Sequence, residues 1–265
     1  CRQRLAYDEL LSHQLTLAIA RNSMRKSKGF ISVGDETMTS KILKELPFKP
    51  TGAQLRAVAE IAHDMAEPFR MNRLLQGDVG SGKTLVAMLA MAKAVEAGGQ
   101  ATLMAPTEIL AQQHLSSLKP LAEKAGIVLE ALTGRDKGEE RAAKLQALSE
   151  GKIHILIGTH AVFQKIVDFK DLRLAIIDEQ HRFGVRQRMD LGAKGTAVDI
   201  LVMTATPIPR SLALANYGDM DISILDEKPA GRKPIETALV SNTRMSQVVD
   251  RLRHAIDDGR QAYWV

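Results

Sequence analysis

A glycine-rich stretch that ends in lysine and threonine is the part of this sequence best suited to chemistry. It fits the pattern G-x-x-x-x-G-K-[ST] and consists of Gly77, Asp78, Val79, Gly80, Ser81, Gly82, Lys83 and Thr84. Glycines let the main chain approach phosphate oxygens closely and leave backbone N–H groups free to turn toward them. Lys83 would bring a positive charge to the β- and γ-phosphates, and the Thr84 hydroxyl would bind Mg²⁺. The stretch therefore predicts a site for ATP or GTP with Mg²⁺.

The residues on either side of this stretch predict the elements that such a loop needs. Arg73–Gln76 reads as a short strand that enters the loop, and Thr84–Ala90 continues as an apolar helix. The amino end of that helix would add a partial positive charge beside the phosphates. The alternative is a chance glycine-rich turn, and the strand and helix that flank the stretch argue against it.

Composition restricts the class of protein. The 265 residues are 45% apolar and 25% charged, as in a soluble globular protein with one large or two modest domains. The 36 Lys and Arg residues exceed the 31 Asp and Glu residues, and the net charge of +5 mildly favours an anionic partner. A single cysteine, Cys1, excludes an internal disulfide and favours an intracellular protein. We find no secretory signal and no apolar run long enough to span a bilayer.

Short apolar strands alternate with helices through the rest of the chain. Helices are predicted at Thr107–Lys124 and Gly138–Glu150. Strands are predicted at Ala101–Ala105, Ile127–Leu132, Ile153–Ile157, Leu174–Ile177 and Asp199–Met203. Nearly continuous apolar runs are typical of strands buried on both faces. The predicted fold class is therefore α/β, with a doubly wound, mostly parallel sheet whose functional groups lie where the strands end.

Acidic residues follow one of these strands directly. Asp178 and Glu179 come after Leu174–Ile177, on a strand that we expect to neighbour the one entering the glycine-rich loop. Asp178 would hold Mg²⁺ opposite the Thr84 hydroxyl, and Glu179 would orient and deprotonate the attacking water. His181 would either ligate a metal or relay the state of the nucleotide. No Cys/His cluster supports the metal, so the relay is favoured.

A threonine-rich turn follows the Asp199–Met203 strand in the same way. The hydroxyls of Thr204 and Thr206 would hydrogen-bond His181 or the acids and report the nucleotide state. A structural turn that ends at Pro207 is the alternative.

Three further loops at strand ends carry short side chains and backbone donors. They are Ala105–Glu108, Leu132–Arg135 and Gly158–Ala161, which we call the rim loops. Backbone N–H groups, hydroxyls and helix amino ends hold a phosphate chain without reading its bases. Each loop could equally be a helix cap, as Thr107 and Thr159 would be. Three such loops on the rim that carries the nucleotide site favour a nucleic-acid track, without a base-stacking platform of aromatic residues.

A glutamine upstream of the glycine-rich loop could recognise a base. Thr51 is a plausible N-cap of a helix that carries Gln54, whose amide can pair with the N6 donor and the N7 acceptor of adenine. Phe48 could stack on the same base. From the residues alone, a surface glutamine on a helix is the better interpretation.

Together these motifs resemble the first motor domain of superfamily 2 helicases, most closely that of the RecG family of bacterial ATP-dependent DNA helicases. The resemblance covers residues 40–240. It rests on Thr51–Gln54, Asn72–Thr84, Ala105–Ala111, Gly158–Ala161, Asp178–Val185 and Met203–Arg210. The transcription-repair coupling translocases look similar, but there we expect Glu in place of Gln180 and a bulky residue in place of Ser81.

The resemblance implies a RecA-like P-loop NTPase fold and a role for each matched residue. Gln54 would recognise adenine, and Lys83, Thr84 and Asp178 would bind phosphate and Mg²⁺. Glu179 would be the catalytic base. Hydrolysis would be coupled to movement by His181, Thr204 and Thr206. The DNA backbone would run past Thr107, Thr133, Arg135, Thr159 and His160. Arg182, Arg186 and Arg188 stay open between DNA contacts and structural ion pairs.

The resemblance also implies a domain organisation. Residues 1–38 would be a helical linker from a wedge region, 39–232 the first motor domain, and 233–265 the start of a second RecA-like domain. We expect the chain to be truncated at both ends, with the arginine finger of the second domain outside it. Alone it should bind ATP, hydrolyse it slowly and leave DNA paired.

The implied partners are branched or forked double-stranded DNA, such as stalled forks and Holliday junctions, and single-strand DNA-binding protein. The implied setting is a monomer at the nucleoid in the bacterial cytoplasm, acting in recombination and repair. Two alternatives stay open. One is a nucleotide-gated switch without motor activity. The other is a P-loop kinase or small-molecule transferase, for which we identify neither a lid nor an acceptor site.

Overall fold

A computed structural model describes residues 28–164, 166–178, 197–205, 220–229 and 237–264, with short runs and single positions between residues 4 and 19. The chain divides into two compact units, Cys1–Ala230 and Gly231–Val265. The described positions before residue 20 are helical and exposed. None of the helices in the described ranges has the length and apolarity needed to cross a membrane.

The first unit alternates strands with helices. Its strands are β1 (Asn72–Gly77), β2 (Gln100–Met104), β3 (Leu129–Leu132), β4 (Ile155–Gly158), β5 (Leu172–Asp178), β6 (Asp199–Thr204) and β7 (Asp221–Leu225). Its helices are α1 (Thr37–Glu45), α2 (Gly52–Met65), α3 (Lys83–Glu96), α4 (Glu108–Ala125) and α5 (Gly138–Ser149), with a 3₁₀ turn at His160–Phe163.

Within the described residues, seven strands form one sheet in the order β3-β4-β2-β5-β6-β1-β7, and every neighbouring pair is parallel. This confirms the predicted α/β fold with a doubly wound parallel sheet. Strand β7 was not among the predicted strands. Only Ser223 and Leu225 of this edge strand are buried, so it lacks the continuous apolar run that revealed the other strands.

The hydrophobic core lies on both faces of the sheet, because successive residues of a strand point in opposite directions. Leu75 and Leu103 belong to a buried cluster with α2, α3 and α4, whereas their neighbours Leu74 and Met104 belong to a cluster on the other side. Helix α3 is buried along most of its length, from Leu85 to Val95. The helix that follows the glycine-rich loop is therefore fixed by the core on nearly every side.

The segment between residues 29 and 39 is tied to the first unit. The Gly29 and Ser32 N–H groups donate to the carbonyls of Pro68 and Met65 at 3.0 and 2.7 Å. The Thr39 N–H donates to Glu96 Oε1 at 2.7 Å. Helix formation begins within this segment, at the start of α1. The proposed domain boundaries stay predictions.

The second unit contains α6 (Met245–Asp257), which follows a 3₁₀ turn at Asn242–Arg244. Within its described residues, the segments 237–241 and 260–264 form no strand. A strand needs a neighbour for its backbone N–H and C=O groups, and neither segment has one among these residues. That this unit begins a second RecA-like domain stays a prediction.

Candidate active site

Strands β5, β6 and β1 are neighbours and end together at one edge of the sheet. Because all the strands are parallel, their carboxyl ends lie at this edge, which we call the carboxyl edge. Strand β6 lies between β5 and β1, and its Met203 pairs with Asp178 while its Thr204 pairs with Gln76. Because adjacent strands are about 4.8 Å apart, β5 and β1 are separated by about 10 Å. Asp178 and the loop after Gly77 therefore lie on either side of Thr204. The prediction that their strands are direct neighbours is wrong, because β6 lies between β5 and β1.

The phosphate loop, Gly77–Thr84, has a backbone that its glycines permit. Gly80 and Gly82 have φ angles of 76° and 88°, in the left-handed region that other residues rarely adopt. A side chain at Gly82 would also collide with the amide nitrogen of Gln54. The Ser81 N–H donates to the Asp78 carbonyl at 3.1 Å, and the Val79 N–H donates to Asp78 Oδ1 at 2.8 Å. The loop is thus a tight, preformed turn.

Lys83 holds its ammonium group over this loop. Its Nζ donates to the carbonyls of Gly77 and Asp78 at 2.7 and 3.0 Å. Lys83 is also the first residue of α3, whose amino end carries a partial positive charge. A fixed cation beside a helix amino end and a glycine-rich turn forms a receptor for an anion such as a phosphate chain.

Gln54 is buried against the phosphate loop, so the interpretation as a surface glutamine is wrong. Its Nε2 donates to the Ser81 carbonyl at 2.8 Å, and its Oε1 accepts from the Thr51 N–H at 2.9 Å. The Thr51 hydroxyl completes a capping box with the Gln54 N–H at 3.2 Å. A primary amide has two N–H groups and two acceptor positions, so these two bonds use half of its hydrogen-bonding capacity. Phe48, the predicted stacking partner, is exposed.

Asp178 has a partner that the sequence reasoning did not identify. Its Oδ2 lies 2.8 Å from Nε2 of His114, and each side chain is 12% exposed. His114 follows Ala111 by three residues and precedes Leu118 by four, and both of these residues are buried in α4. The available signal was that His114 lies at helical spacing from two apolar residues, but only the tertiary structure, which brings His114 to the end of β5, gives it a role.

The other end of α4 lies at the rim loops. Thr107 caps the helix, with its hydroxyl accepting from the Leu110 N–H at 3.3 Å. The adjacent Glu108 accepts the Gly134 N–H on Oε1 at 2.7 Å, which joins two rim loops. The N-cap interpretation of Thr107 is therefore correct, and a contact with DNA would be an additional role.

The rim loop after β3 is closed by its own hydrogen bonds. Thr133 is 3% exposed, and its N–H and hydroxyl both donate to Asp136 Oδ2, at 2.7 and 3.3 Å. Arg135 is exposed beside it. A groove of about 640 Å³ runs from this loop along α4, and its lining includes Ile109, Gln112, Gln113, Ser116, Thr133 and Arg135.

The remaining predicted residues divide into described and undescribed positions. Thr159 and His160 are half-buried at the end of β4, and Thr159 precedes the 3₁₀ turn without capping it through its side chain. Thr204 is buried at the end of β6. Outside the described residues lie Glu179, His181, Thr206, Arg182, Arg186 and Arg188.

Thr84 and Asp178 supply the donor atoms that Mg²⁺ prefers. This ion binds through oxygen atoms, usually with one or two carboxylates, several waters and the phosphates of a nucleotide. Across the described part of the chain, no group of three or more His, Cys, Asp or Glu side chains could hold a metal ion by itself. A hydroxyl and a carboxylate on either side of β6 therefore fit Mg²⁺ that arrives with a nucleotide.

A family model described as DEAD/DEAH box helicase matches residues 51–214, from the Thr51 capping box past Thr204. The chain belongs to this family. The matched range includes the phosphate loop, Asp178 and all three rim loops. The predicted resemblance to a helicase domain is thus confirmed.

Relatives within the family are ATP-dependent DNA helicases named RecG. The chain is 48% identical to that of Escherichia coli strain K12 over 269 aligned residues, which cover 100% of this chain and 39% of the relative. It is also 48% identical to that of Bacillus subtilis strain 168, covering 99% of this chain and 39% of the relative. A solved structure of RecG bound to a three-way DNA junction superposes with a TM-score of 0.85 at 45% identity, over 97% of this chain and 35% of that one. The resemblance to RecG is confirmed, and the chain spans about two fifths of the length of these relatives.

Proposed function

We propose that this chain is the first, nucleotide-binding motor domain of an ATP-dependent DNA helicase. The observation that carries the proposal is the Lys83 ammonium fixed over the phosphate loop, 2.7 Å from the Gly77 carbonyl, at the edge of the sheet that also carries Asp178. The nucleotide is ATP, with Gln54 and Phe48 facing its adenine. The match to the helicase family and the similarity to RecG support this assignment.

The residues of the site divide the chemistry between them. Lys83 and the backbone N–H groups of the phosphate loop bind the phosphates, while Thr84 and Asp178 hold Mg²⁺. When bound, the ion neutralises charge on the β- and γ-phosphates. Glu179 orients the attacking water and accepts its proton. His181, Thr204 and Thr206 couple the state of the nucleotide to the bound DNA.

The substrate that we propose is branched double-stranded DNA, such as stalled forks and Holliday junctions. A protein 45% identical to this chain has been solved on a three-way DNA junction, which supports the choice. The backbone of the DNA would follow the rim loops at Thr107, Thr133, Arg135, Thr159 and His160. Arg135 is the exposed cation among these residues, whereas buried Thr133 would act by holding its loop. Such contacts position the DNA without reading its sequence.

Full activity requires a second motor domain. In motors of this kind an arginine finger stabilises the charge that develops on the transferred phosphoryl group, and its contribution to kcat is about 10³- to 10⁵-fold. We propose that the 265-residue chain binds ATP but hydrolyses it slowly. The complete protein would act as a monomer at the nucleoid, with single-strand DNA-binding protein as a partner.

Steady-state ATP hydrolysis tests the proposal. It is measured with and without a synthetic forked duplex, on this chain and on a chain extended through a second motor domain. We expect only the extended chain to turn over rapidly, to be stimulated by the fork, and to lose activity on Glu179→Gln substitution. If the extended chain hydrolyses ATP through Glu179 but ignores DNA, the helicase assignment is wrong and a nucleotide-gated switch replaces it.

A further inference from the structure

We propose that His114 is a positioning residue that holds the Asp178 carboxylate in the orientation required for Mg²⁺. The inference rests on the proposed nucleotide site, because it takes Asp178 as a ligand of the ion. The direct observation is the 2.8 Å contact between His114 Nε2 and Asp178 Oδ2. This contact joins the second turn of α4 to the end of β5, two elements far apart in the sequence.

The chemistry of the pair fixes the direction of the hydrogen bond. An ionised carboxylate only accepts, so Nε2 of His114 carries the proton in this contact. A carboxylate offers about four acceptor positions on its two oxygens, so one bond at Oδ2 leaves room for Mg²⁺ or a water bound to it. The bond selects one rotation of the carboxylate without competing for all of its lone pairs.

Burial makes this bond consequential. Both side chains are only 12% exposed, so little water is available to replace the imidazole if it is removed. Without this hydrogen bond, the Asp178 carboxylate would become fixed in one orientation only when the ion binds. Hydrogen-bond partners of ligating groups typically contribute about 10- to 100-fold in metal affinity or activity.

The helix that carries His114 is itself held in place. Ala111 and Leu118 bury one face of α4, at 0% and 2% exposure. The beginning of the helix is fixed by the Thr107 cap and by the bond from Gly134 to Glu108. The imidazole is therefore presented from a rigid support, and its position relative to β5 is set by the core.

A purely structural histidine would predict a different result from a positioning one. Loss of a structural contact lowers the free energy of unfolding whether or not Mg²⁺ is present. Loss of a positioning contact lowers the gain in nucleotide affinity that Mg²⁺ provides. We therefore define the Mg²⁺ gain as the Kd of a fluorescent ADP analogue in EDTA divided by its Kd in Mg²⁺.

The test compares His114→Leu with His114→Gln in the full chain. Leucine removes the donor, whereas glutamine can place an amide N–H near the position of the imidazole Nε2. We expect His114→Leu to reduce the Mg²⁺ gain about 10- to 100-fold with an unchanged Kd in EDTA. His114→Gln should keep the gain within about threefold. Titration of Mn²⁺ in the presence of ADP, followed by electron paramagnetic resonance, should give the same ranking without any turnover.

Two further variants separate the possible failures. His154→Leu removes another ring contact, the one in which Nδ1 accepts the Val128 N–H at 3.0 Å, and it should leave the Mg²⁺ gain unchanged. Asp178→Asn should remove most of the gain. If Asp178→Asn changes nothing, the assignment of the metal ligand in the proposed function is wrong. If it removes the gain while His114→Leu keeps or increases it, only the role of His114 is wrong.

A measurement on the native histidine covers the case in which His114→Leu does not fold. In ¹⁵N spectra of histidine-labelled chain, addition of Mg²⁺ and ADP should shift the Nε2 signal of His114, and Asp178→Asn should shift it without nucleotide. An Nε2 signal that shifts neither on addition of Mg²⁺ and ADP nor in Asp178→Asn would overturn the proposal.

Discussion

The two halves of the carboxyl edge hold their loops with side chains of opposite hydrogen-bonding character. In the half formed by β5, β6 and β1, Lys83 and Gln54 donate to carbonyls of the phosphate loop. In the half formed by β3, β4 and β2, the carboxylates of Glu108 and Asp136 accept the N–H groups of Gly134 and Thr133. The first set of loops therefore carries a fixed cation, although its Val79 and Ser81 N–H groups donate to Asp78, and the second set already contains its own anions.

This difference shows that sharing a sheet edge does not give loops the same chemistry. A phosphate chain at the rim loops would meet exposed Arg135 but also the negative charge of Glu108. A nucleotide at the phosphate loop meets a fixed cation and a helix amino end. We expect strong, localised binding in the first half and weaker, distributed, salt-sensitive binding in the second.

The largest predicted effect is on stability, and it arises at the amino edge of the sheet, opposite the carboxyl edge. This edge lies outside both halves and serves as a reference for them. Asp199 begins β6 with no exposed surface, and burial raises its pKa from 3.8 to about 8, with the Met71 N–H and Arg70 acting against the shift. The folded chain thus keeps a proton that the unfolded chain releases. Stability should be greatest below the ordinary pKa and should fall by about 1.4 kcal/mol per pH unit toward pH 8.

Asp199→Asn should remove most of this dependence, because an amide oxygen can still accept the Met71 N–H, which lies 2.7 Å from Oδ1. Near neutral pH the variant should be more stable by up to about 4 kcal/mol. Urea unfolding between pH 5 and pH 8 measures the change, with Asp171→Asn as the control at a partly exposed ion pair. An unchanged pH profile in Asp199→Asn would refute the assignment.

The next effect should be confined to the nucleotide half. Lys83→Ala removes a charge-assisted partner of the phosphates and should weaken binding of a fluorescent ATP analogue roughly 100-fold, leaving binding to forked DNA unchanged. Lys93→Ala, near the other end of α3 and paired with Glu36, is the matched control. An equal loss in both variants would point to damage to the helix rather than to the loss of a phosphate contact.

A smaller effect is expected in the rim half. Arg135→Ala should weaken binding of this chain to forked DNA roughly tenfold, whatever the DNA sequence. It should also reduce the slope of log affinity against log salt concentration by about one. Fluorescence anisotropy over a salt series gives both quantities, and Lys152→Ala, before β4, should match the unsubstituted chain. An unchanged slope would remove Arg135 from the DNA path.

The smallest predicted effect concerns the negative charge of Glu108 at the rim loops. Glu108→Gln keeps an oxygen for the Gly134 N–H but removes the negative charge, so it should tighten binding to DNA by about fivefold. The same substitution at Glu123, near the end of α4, should have no effect. Weaker binding in Glu108→Gln would mean that the charge organises the loop rather than repelling phosphate.

Features set by the local sequence could be predicted, whereas features set by tertiary packing could not. The phosphate loop and Asp178 were predictable because residue type, spacing and the flanking apolar strands all indicate the same chemistry. The contact between His114 and Asp178 spans 64 residues, and only packing brings the two together. The burial of Gln54 could not be predicted for the same reason, since a polar residue in the first turn of a helix is normally exposed to solvent. Strand β7 lacked the apolar run, because Asp221 and Ser223 interrupt its apolar residues.

The position of β6 limits how the site can move. Its backbone is hydrogen-bonded to β5 on one side and to β1 on the other, in a continuous parallel register. Separating Asp178 from the phosphate loop by moving strands would break an entire ladder, at about 1 kcal/mol for each bond. The sheet is thus a stiff frame, and the distance across the site is a constant of the fold. Any conformational change of the site within this unit must therefore come from loops and side chains that move against this frame.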